Sequence, residues 1–358
     1  MAHRYRLVPD PGQVAMLARH CSDSQGTWLG EGSSSVLQQA LRDFDRALRN
    51  WWGGTHRRPR WRKAGLDEGF CVRDVALRRL NRRWASVVVP KCGRVRFRLS
   101  RPLPATYGMA RVTMDRSRRW HVSFTAPQPV LEREPTGQVV GLDAGVVATL
   151  TTSAGAQHRA PALRPGEAER LRRLQRRLAR QHKGSLRRAA TKAAVARVKA
   201  READRRRDWT RQTSTGLVRS FDLIAIEDLK VHHMVRSAGG TVTEPGTNVA
   251  QKRGLNRSIS AQAWSMIRRR ITDKAATCKV VVAAVDPAHT SQRCAACGHT
   301  DADNRESQAV FGCRACGHQA NADVNAAINI LAAGLAVTAR GGTSHQGPDE
   351  ARTQPVAA

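Results

Sequence analysis

Two short cysteine pairs constrain the fold of this chain more than any other feature. Cys294-Ala-Ala-Cys297 and Cys313-Arg-Ala-Cys316 flank residues 298–312, and both pairs continue with Gly-His. This spacing is typical of a four-cysteine zinc ribbon, whose thiolates leave no position for a water ligand. A disulfide in a reducing compartment or an iron–sulfur cluster fits less well. The sequence therefore predicts a structural Zn²⁺ site with Cys294, Cys297, Cys313 and Cys316 as ligands.

The charge of the chain indicates a polyanionic partner. Its 61 Lys and Arg residues outnumber 29 Asp and Glu residues, giving a formal net charge of +32. This favours nucleic acid, although a GC-rich coding sequence would also enrich arginine without any partner. No segment pairs a basic face with a broad apolar face, and no apolar run has the length of a membrane span or a leader. We therefore expect a cytoplasmic protein with no membrane contact.

Arginine-rich segments are the candidates for contact with nucleic acid. In residues 57–63, Arg-Arg-Pro-Arg-Trp-Arg-Lys, an indole lies among guanidinium groups, which suits phosphate contacts combined with base stacking. Further candidates lie in an Arg-rich helical hairpin over residues 166–220 and near residue 257. The predicted contacts are Arg57, Arg58, Arg60, Arg62, Lys63, Arg172, Arg173, Arg187, Arg188 and Arg257.

The first third of the chain predicts a β-rich region with a helical insertion. Short apolar segments separated by Gly, Pro, Asp and Ser are typical of strands, and together they favour a small barrel. Prolines in a charged stretch place the main boundary near Pro135. The predicted strands are residues 5–9, 86–90, 94–99, 110–114 and 120–124, and the predicted helices are 11–20 and 36–51.

The rest of the chain has the element order of an α/β domain. Two strands of a hairpin are predicted at residues 138–142 and 146–152, and a buried strand ends at Glu227. A loop is predicted to about residue 258, followed by a helix over residues 260–278 and a strand over 279–285.

Three acids at the ends of apolar elements are candidate cation ligands. Asp143 follows Val-Val-Gly-Leu, Glu227 follows Ile-Ala-Ile, and Asp323 precedes apolar residues with helical spacing. Phosphodiester hydrolysis is helped by divalent metals, and hard cations need several carboxylate oxygens. Each acid alone is a weak signal, because an acid at a strand end or helix start is commonly a cap or a solvated edge.

Five segments resemble successive motifs of the transposon-encoded TnpB (OrfB) family. The resemblance spans about residues 138–332, and the cysteine module lies between the second and third acids, as in the family. The segments are Gly141-Leu-Asp-Ala-Gly145, Ile226-Glu-Asp-Leu229, Asn256-Arg-Ser-Ile259, Thr290-Ser-Gln-Arg-Cys-Ala-Ala-Cys-Gly298 and Asn321-Ala-Asp-Val-Asn-Ala-Ala-Ile-Asn329.

This resemblance implies an RNase H-like (RuvC) nuclease core with an inserted zinc ribbon, related to type V CRISPR effectors. It implies that Asp143, Glu227 and Asp323 are catalytic acids that hold Mg²⁺, for which Mn²⁺ could substitute. It also implies a guide RNA from the transposon end and a double-stranded DNA target. The expected organisation is a recognition region over residues 1–135, a nuclease core over 136–286, a zinc ribbon over 287–320, a last core helix over 321–335 and a disordered tail over 336–358.

Two other functions stay open at the level of sequence. Residues 22–29 lead almost directly to the helix beginning near Val36, whereas the family has a longer helical insertion there. A decayed copy, or a non-cutting nucleic-acid-binding regulator of transposition, would fit this shortening. A strand-joining transposase could use similar acids on a similar fold, but the inserted ribbon argues against it.

Overall fold

The structure is a computed structural model that describes residues 2–23, 33–60, 68–73, 75–127, 130–241 and 243–339. The chain forms two compact units. Unit 1 comprises Met1–Gln128 and Arg164–Arg201, and unit 2 comprises Pro129–Leu163 and Glu202–Ala358. The domain limits drawn from the sequence stay predictions.

Unit 1 is built on a seven-stranded antiparallel sheet. Its strands are β1 (Ala2–Val8), β2 (Gly69–Val72), β3 (Leu77–Arg79), β4 (Trp84–Val89), β5 (Gly93–Arg98), β6 (Ala110–Met114) and β7 (Trp120–Thr125). They follow the order β2-β6-β7-β1-β5-β4-β3. All five predicted strands of this region are present, and the barrel shape stays a prediction.

One face of this sheet forms an apolar core. In β5, Val95 and Phe97 are fully buried while the arginines that alternate with them are exposed, which is the period-two pattern of a half-buried strand. The ring of Tyr5 lies 5.1 Å from that of Phe97 and 6.0 Å from that of Phe124. The Tyr5 hydroxyl donates to the carbonyl oxygen of Pro102 at 2.7 Å, so the buried phenol keeps a polar partner.

Helices complete unit 1, including the start of the hairpin that the sequence placed within the nuclease core. They are α1 (Pro11–Asp23), α2 (Ser34–Trp52), α3 (Pro165–Arg180) and the first part of α4 (Leu186–Ser220). At the break between α3 and α4, the Arg188 guanidinium donates to the carbonyl oxygens of Leu178 and Gln181. This side chain therefore caps the last turn of α3.

Unit 2 contains a five-stranded mixed sheet in the order β10-β9-β8-β11-β12. These strands are β8 (Val139–Asp143), β9 (Leu150–Thr152), β10 (Gln157–His158), β11 (Leu223–Glu227) and β12 (Val281–Val285). β8, β11 and β12 are parallel, so their carboxyl ends meet at one edge. The remaining elements are the second part of α4, α5 (Val231–Met234), α6 (Val249–Gln262), α7 (Trp264–Ala275), a 3-10 helix (Ala302–Asn304), β13 (Val310–Gly312), β14 (Gln319–Asn321) and α8 (Ala322–Ala339).

Two predictions in unit 2 were wrong for one shared reason. The strand expected at residues 146–152 begins only at Leu150, and the helix expected at 260–278 is divided at Ala263, where φ is 59°. Gln262 donates to the carbonyl oxygen of Val146 at 2.8 Å, and the Trp264 indole donates to that of Thr149 at 3.2 Å. The segment before β9 therefore bonds to side chains of α6 and α7. The predicted loop to residue 258 also contains α5 and most of α6.

Helix α8 packs closely on the unit 2 sheet. A Cβ on Gly141 of β8 would lie 2.0 Å from the carbonyl oxygen of Ala327, and one on Gly334 would lie 2.4 Å from Cβ of Ala225. Glycine at both positions lets the helix and strands approach this closely.

The length and apolar composition of α8 would also allow it to cross a membrane, with a mean hydropathy of 1.4. Its Ile330 is fully buried in a cluster with residues of β11 and β12, and 33% of the apolar window is buried inside the structure. The helix extends to Ala339, beyond the predicted end at residue 335, and residues 340–358 of the predicted tail lie outside the described residues.

Candidate metal centres

The four predicted cysteine ligands come together. Their sulfur atoms all lie within 4.8 Å of one another, with 3.8 Å between Cys294 and Cys316 and 3.6 Å between Cys297 and Cys313. A tetrahedral ion at about 2.3 Å from each sulfur requires sulfur separations of about 3.8 Å. A disulfide needs about 2.05 Å. The geometry therefore fits four thiolates around one ion such as zinc.

Each cysteine pair is shaped by local backbone hydrogen bonds. The backbone N–H group of Cys294 donates to the carbonyl oxygen of His299 at 2.8 Å. The backbone N–H group of Gly298 donates to the carbonyl oxygen of Cys294 at 2.9 Å. The matching bonds of the Cys313 pair are 2.9 and 3.0 Å. Gly298 and Gly317 have φ values of 80° and 71°, in the left-handed region that glycine adopts without strain. The Gly after each pair therefore closes the turn that presents the thiolates.

The three predicted acids also converge. Asp143 ends β8 and Glu227 ends β11, and these neighbouring strands are parallel with Ile226 beside Leu142. The next residue of each strand is thus an acid at the same edge of the sheet. Asp323 lies in the first turn of α8. Its Oδ2 is 3.7 Å from where a Cβ on Gly145, two residues beyond Asp143, would lie.

The electrostatics of these carboxylates agree with their proximity. Burial and, after it, the nearby charges of Glu227 and Asp323 together raise the pKa of Asp143 to about 7, while Arg305 opposes the shift. Burial also raises the pKa of Glu227, against a hydrogen bond from Thr290. Like charges held together in a low dielectric repel one another, so a bound cation would relieve the repulsion.

The acid cluster is more open than the cysteine cluster. Among the described residues, the four cysteines alone bring at least three Cys, His, Asp or Glu ligand atoms within 4.8 Å of one another. The acids supply hard oxygen donors from two strand ends and one helix start, which fits Mg²⁺ or Mn²⁺ completed by water or phosphate oxygens. The residues present therefore fit divalent cations.

Four polar residues beside the acids were not identified from the sequence. The Thr290 hydroxyl donates to Glu227 at 2.7 Å, and Arg305 pairs with Asp323 at 3.3 Å. Thr290, Asn325 and Asn329 lie inside the motifs that carry the family resemblance, which was the available signal. Arg305 lies outside these motifs, so the sequence offered nothing that would have identified it. Thr290 and Arg305 bond to the acids themselves, whereas Asn325 and Asn329 bond α8 to the segment around the first cysteine pair.

Two neighbouring acids, Asp228 and Asp286, take other roles. Asp228 pairs with Lys230 and Arg268, whose hydrogen bonds lower its pKa. Asp286 accepts a hydrogen bond from the N–H group of Ala288 at 3.0 Å, which is a turn contact.

Most of the predicted nucleic-acid contacts are exposed. Arg58 lies 5.6 Å from the ring of Trp51, a cation–π arrangement, and Arg173 pairs with Glu169 at 3.6 Å. Arg188 is the exception, because it is half-buried as the cap of α3. Arg62 and Lys63 lie outside the described residues. The exposed set is Arg57, Arg58, Arg60, Arg172, Arg173, Arg187 and Arg257.

Comparison with known proteins places these features in a family. The family model OrfB_IS605, described as "Probable transposase", matches residues 112–238, and the model "Cas12f1-like, TNB domain" matches residues 264–330. The chain is 38% identical over 339 residues to a protein of Escherichia coli (strain K12) described as "Putative RNA-guided DNA endonuclease InsQ". That match covers 94% of this chain and 83% of the relative.

A second relative and a solved structure also resemble this chain. A Streptomyces pristinaespiralis protein described as "Putative RNA-guided DNA endonuclease" is 32% identical, over 88% of this chain and 75% of the relative. A chain of the solved structure "Cryo-EM structure of the Cas12f1-sgRNA-target DNA complex" matches with a TM-score of 0.51 and 12% identity. That match covers 89% of this chain and 81% of the other, and it shows similarity of fold.

The fold and the two centres define an α/β protein in which a cysteine ribbon precedes the last acid-bearing helix. Similarity over nearly the whole chain then identifies the family: the chain belongs to the OrfB_IS605 family. The resemblance noted in the sequence is therefore confirmed.

Proposed function

We propose that this protein is an RNA-guided DNA endonuclease encoded by an insertion sequence. The observation that carries the proposal is the convergence of Asp143, Glu227 and Asp323 at one edge of the unit 2 sheet. Two relatives aligned over most of their length are described as RNA-guided DNA endonucleases, which supports the same activity here. In this proposal unit 2 contains a RuvC-type, RNase H-like core.

In this function the three acids hold divalent cations, with Mg²⁺ proposed from its availability and its preference for oxygen. When bound, two such cations supply an activated water and stabilise the leaving oxygen of the phosphodiester. The protein fixes Asp143 and Glu227 on adjacent strands and Asp323 on α8. Arg305 places a positive charge beside Asp323, which limits repulsion within the cluster.

The cysteine cluster is proposed to hold Zn²⁺ in a structural role. Four thiolates complete the coordination of the ion, so no open position is left for a water nucleophile. The ribbon contacts Glu227 through Thr290 and Asp323 through Arg305. Zinc would thus stabilise the loops that lie against the acids.

The proposed partners are a guide RNA from the transposon end and a double-stranded DNA target. The exposed arginines would contact phosphates, while base pairing with the guide reads the sequence. The proposed organisation has a recognition region over residues 1–135, a core over 136–286 and a zinc ribbon over 287–320. We also propose a cytoplasmic location, which suits a protein that acts on nucleic acid.

The test is cleavage of plasmid DNA by protein co-expressed with RNA from the flanking transposon end. Asp143→Ala should lower the single-turnover rate by at least about 1,000-fold, because metal-stabilised charge supplies several kcal/mol in the transition state. Asp286→Asn is the matched control, since this exposed acid accepts a turn hydrogen bond from Ala288, and the variant should cleave normally. Tight RNA binding without cutting by the wild type would instead support a regulatory or decayed copy.

A further inference from the structure

The side chain of Thr290 connects the cysteine ribbon to the acid cluster. Its hydroxyl donates to Oε1 of Glu227 at 2.7 Å and lies 3.2 Å from the carbonyl oxygen of Pro287. A hydroxyl group has one proton to donate. The charged carboxylate at the shorter distance is the stronger acceptor, so the proton is donated to Glu227. Thr290 is 9% exposed, which leaves little room for water to replace this donor.

Thr290 is the single hydrogen-bond donor to the carboxylate of Glu227 among the residues that the structure describes. The carboxyl group of a glutamate rotates about a broad, roughly two-fold torsion. One short bond to Oε1 therefore selects one orientation of this carboxylate at the edge of the sheet.

Thr290 is itself held by α8. Asn329 donates from Nδ2 to the carbonyl oxygens of Thr290 and Arg293, at 3.0 and 2.7 Å. One turn earlier, the fully buried Asn325 donates to the same carbonyl of Arg293 at 2.8 Å. Buried amides left without partners are costly, so these bonds fix the segment just before the first cysteine pair.

We infer that Thr290 is a positioning residue through which the ribbon orients Glu227 for cation binding. The inference rests on the proposed function and assigns Thr290 no contact with substrate. Loss of a hydrogen-bonding partner behind a metal ligand typically lowers metal affinity about 10- to 100-fold. We expect a loss of cation affinity in the same range when the Thr290 hydroxyl is removed.

The experiment compares wild type, Thr290→Val and Thr290→Ser as full-length protein. Valine keeps the branched shape without the hydroxyl, and serine keeps the hydroxyl. Isothermal titration with Mn²⁺ alone should show affinity about 10- to 100-fold weaker in the valine variant and near normal in the serine variant. The Mg²⁺ concentration for half-maximal cleavage should rise in parallel.

A matched control and a double-mutant cycle separate positioning from damage to the ribbon. Thr300→Val makes the same change at an exposed ribbon residue, whose hydroxyl lies 3.5 Å from the carbonyl oxygen of Gly298, and should leave Mn²⁺ affinity unchanged. In a Glu227→Gln background, Thr290→Val should cause little further loss, whereas a structural defect would add its full effect.

Two outcomes would overturn the inference: wild-type Mn²⁺ affinity in Thr290→Val, or additive losses in the cycle. Failure of the proposed function gives a different result. If Asp143→Ala binds Mn²⁺ as tightly as the wild type, the acids are not the cation site. If binding depends on Asp143 while Thr290→Val changes nothing, the positioning role alone is wrong.

Discussion

The two candidate metal centres of unit 2 are assembled in opposite ways. The cysteine ligands lie within residues 294–316, and each pair is shaped by hydrogen bonds between near neighbours in the chain. The acids are spread from Asp143 to Asp323 and meet because β8, β11 and α8 pack together. A local motif thus fixes its ligand geometry largely by itself, whereas dispersed ligands depend on strand register and helix packing.

Disrupting the four-cysteine cluster should have the largest effect on stability and on cleavage. In Cys313→Ala the tetrahedral set loses a buried thiolate, so zinc should be lost and the ribbon should unfold. Structural zinc contributes on the order of 10 kcal/mol of apparent binding free energy at neutral pH. Cleavage should also disappear, because the ribbon contacts the acid cluster.

Zinc content by elemental analysis and plasmid cleavage measure this effect. Cys278→Ala is the control, since this thiol lies outside the ribbon and donates to a helix carbonyl. One equivalent of zinc retained by Cys313→Ala would contradict the four-cysteine site.

Disrupting the acid cluster, whose residues are far apart in the chain, should have a smaller effect on stability and should leave the zinc content unchanged. Gly141→Ala places a Cβ 2.0 Å from the carbonyl oxygen of Ala327, so β8 and α8 must separate. We expect the free energy of unfolding to fall by about 3 kcal/mol, as in overpacked cores, and cleavage to fall with it.

Denaturant unfolding and elemental analysis test this prediction. Gly166→Ala is the matched control, because a Cβ there meets nothing within 4 Å and the residue lies in α3. Unfolding of Gly141→Ala at the wild-type midpoint would show that the close approach does not limit the fold.

The smallest expected effect concerns the register of β8 against β11. Asp222, just before β11, accepts hydrogen bonds from the N–H groups of Thr136 and Gly137, at 3.0 and 2.6 Å. The hydrogen bond from Arg133 is the main cause that lowers its pKa to about 2. The charged form therefore stabilises the fold above the ordinary pKa of 3.8, and this contribution is lost as the pH falls to about 2.

The difference in melting temperature between wild type and Asp222→Asn should therefore be constant from pH 7 to about 4 and vanish near pH 2. Asp45→Asn removes an exposed pair with Arg49 and should change the melting temperature little at any pH. A difference for Asp222→Asn that persists at pH 2 would assign its effect to packing.

Errors in the predicted elements follow the same division between local and long-range contacts. Five of the seven strands in unit 1 were predicted from short apolar segments bounded by turn residues, because that pattern is local. The break at Ala263 was missed because its causes, the bonds of Gln262 and Trp264, reach 116 and 115 residues back along the chain. No pattern within a helix-length window contains that information.

The sequence by itself determined the ribbon, since a repeated Cys-x-x-Cys-Gly-His places four ligands and two turn-forming glycines in a short span. Its motifs also indicated the family, and the resemblance to that family identified the three acids as candidate catalytic residues. Only the tertiary structure decided that Thr290 meets Glu227 and that Arg305 meets Asp323. The first contact joins residues 63 positions apart, and both depend on where the ribbon folds back against the sheet and α8. Such contacts gain their free energy from packing and register, which neighbouring residues in the chain do not encode.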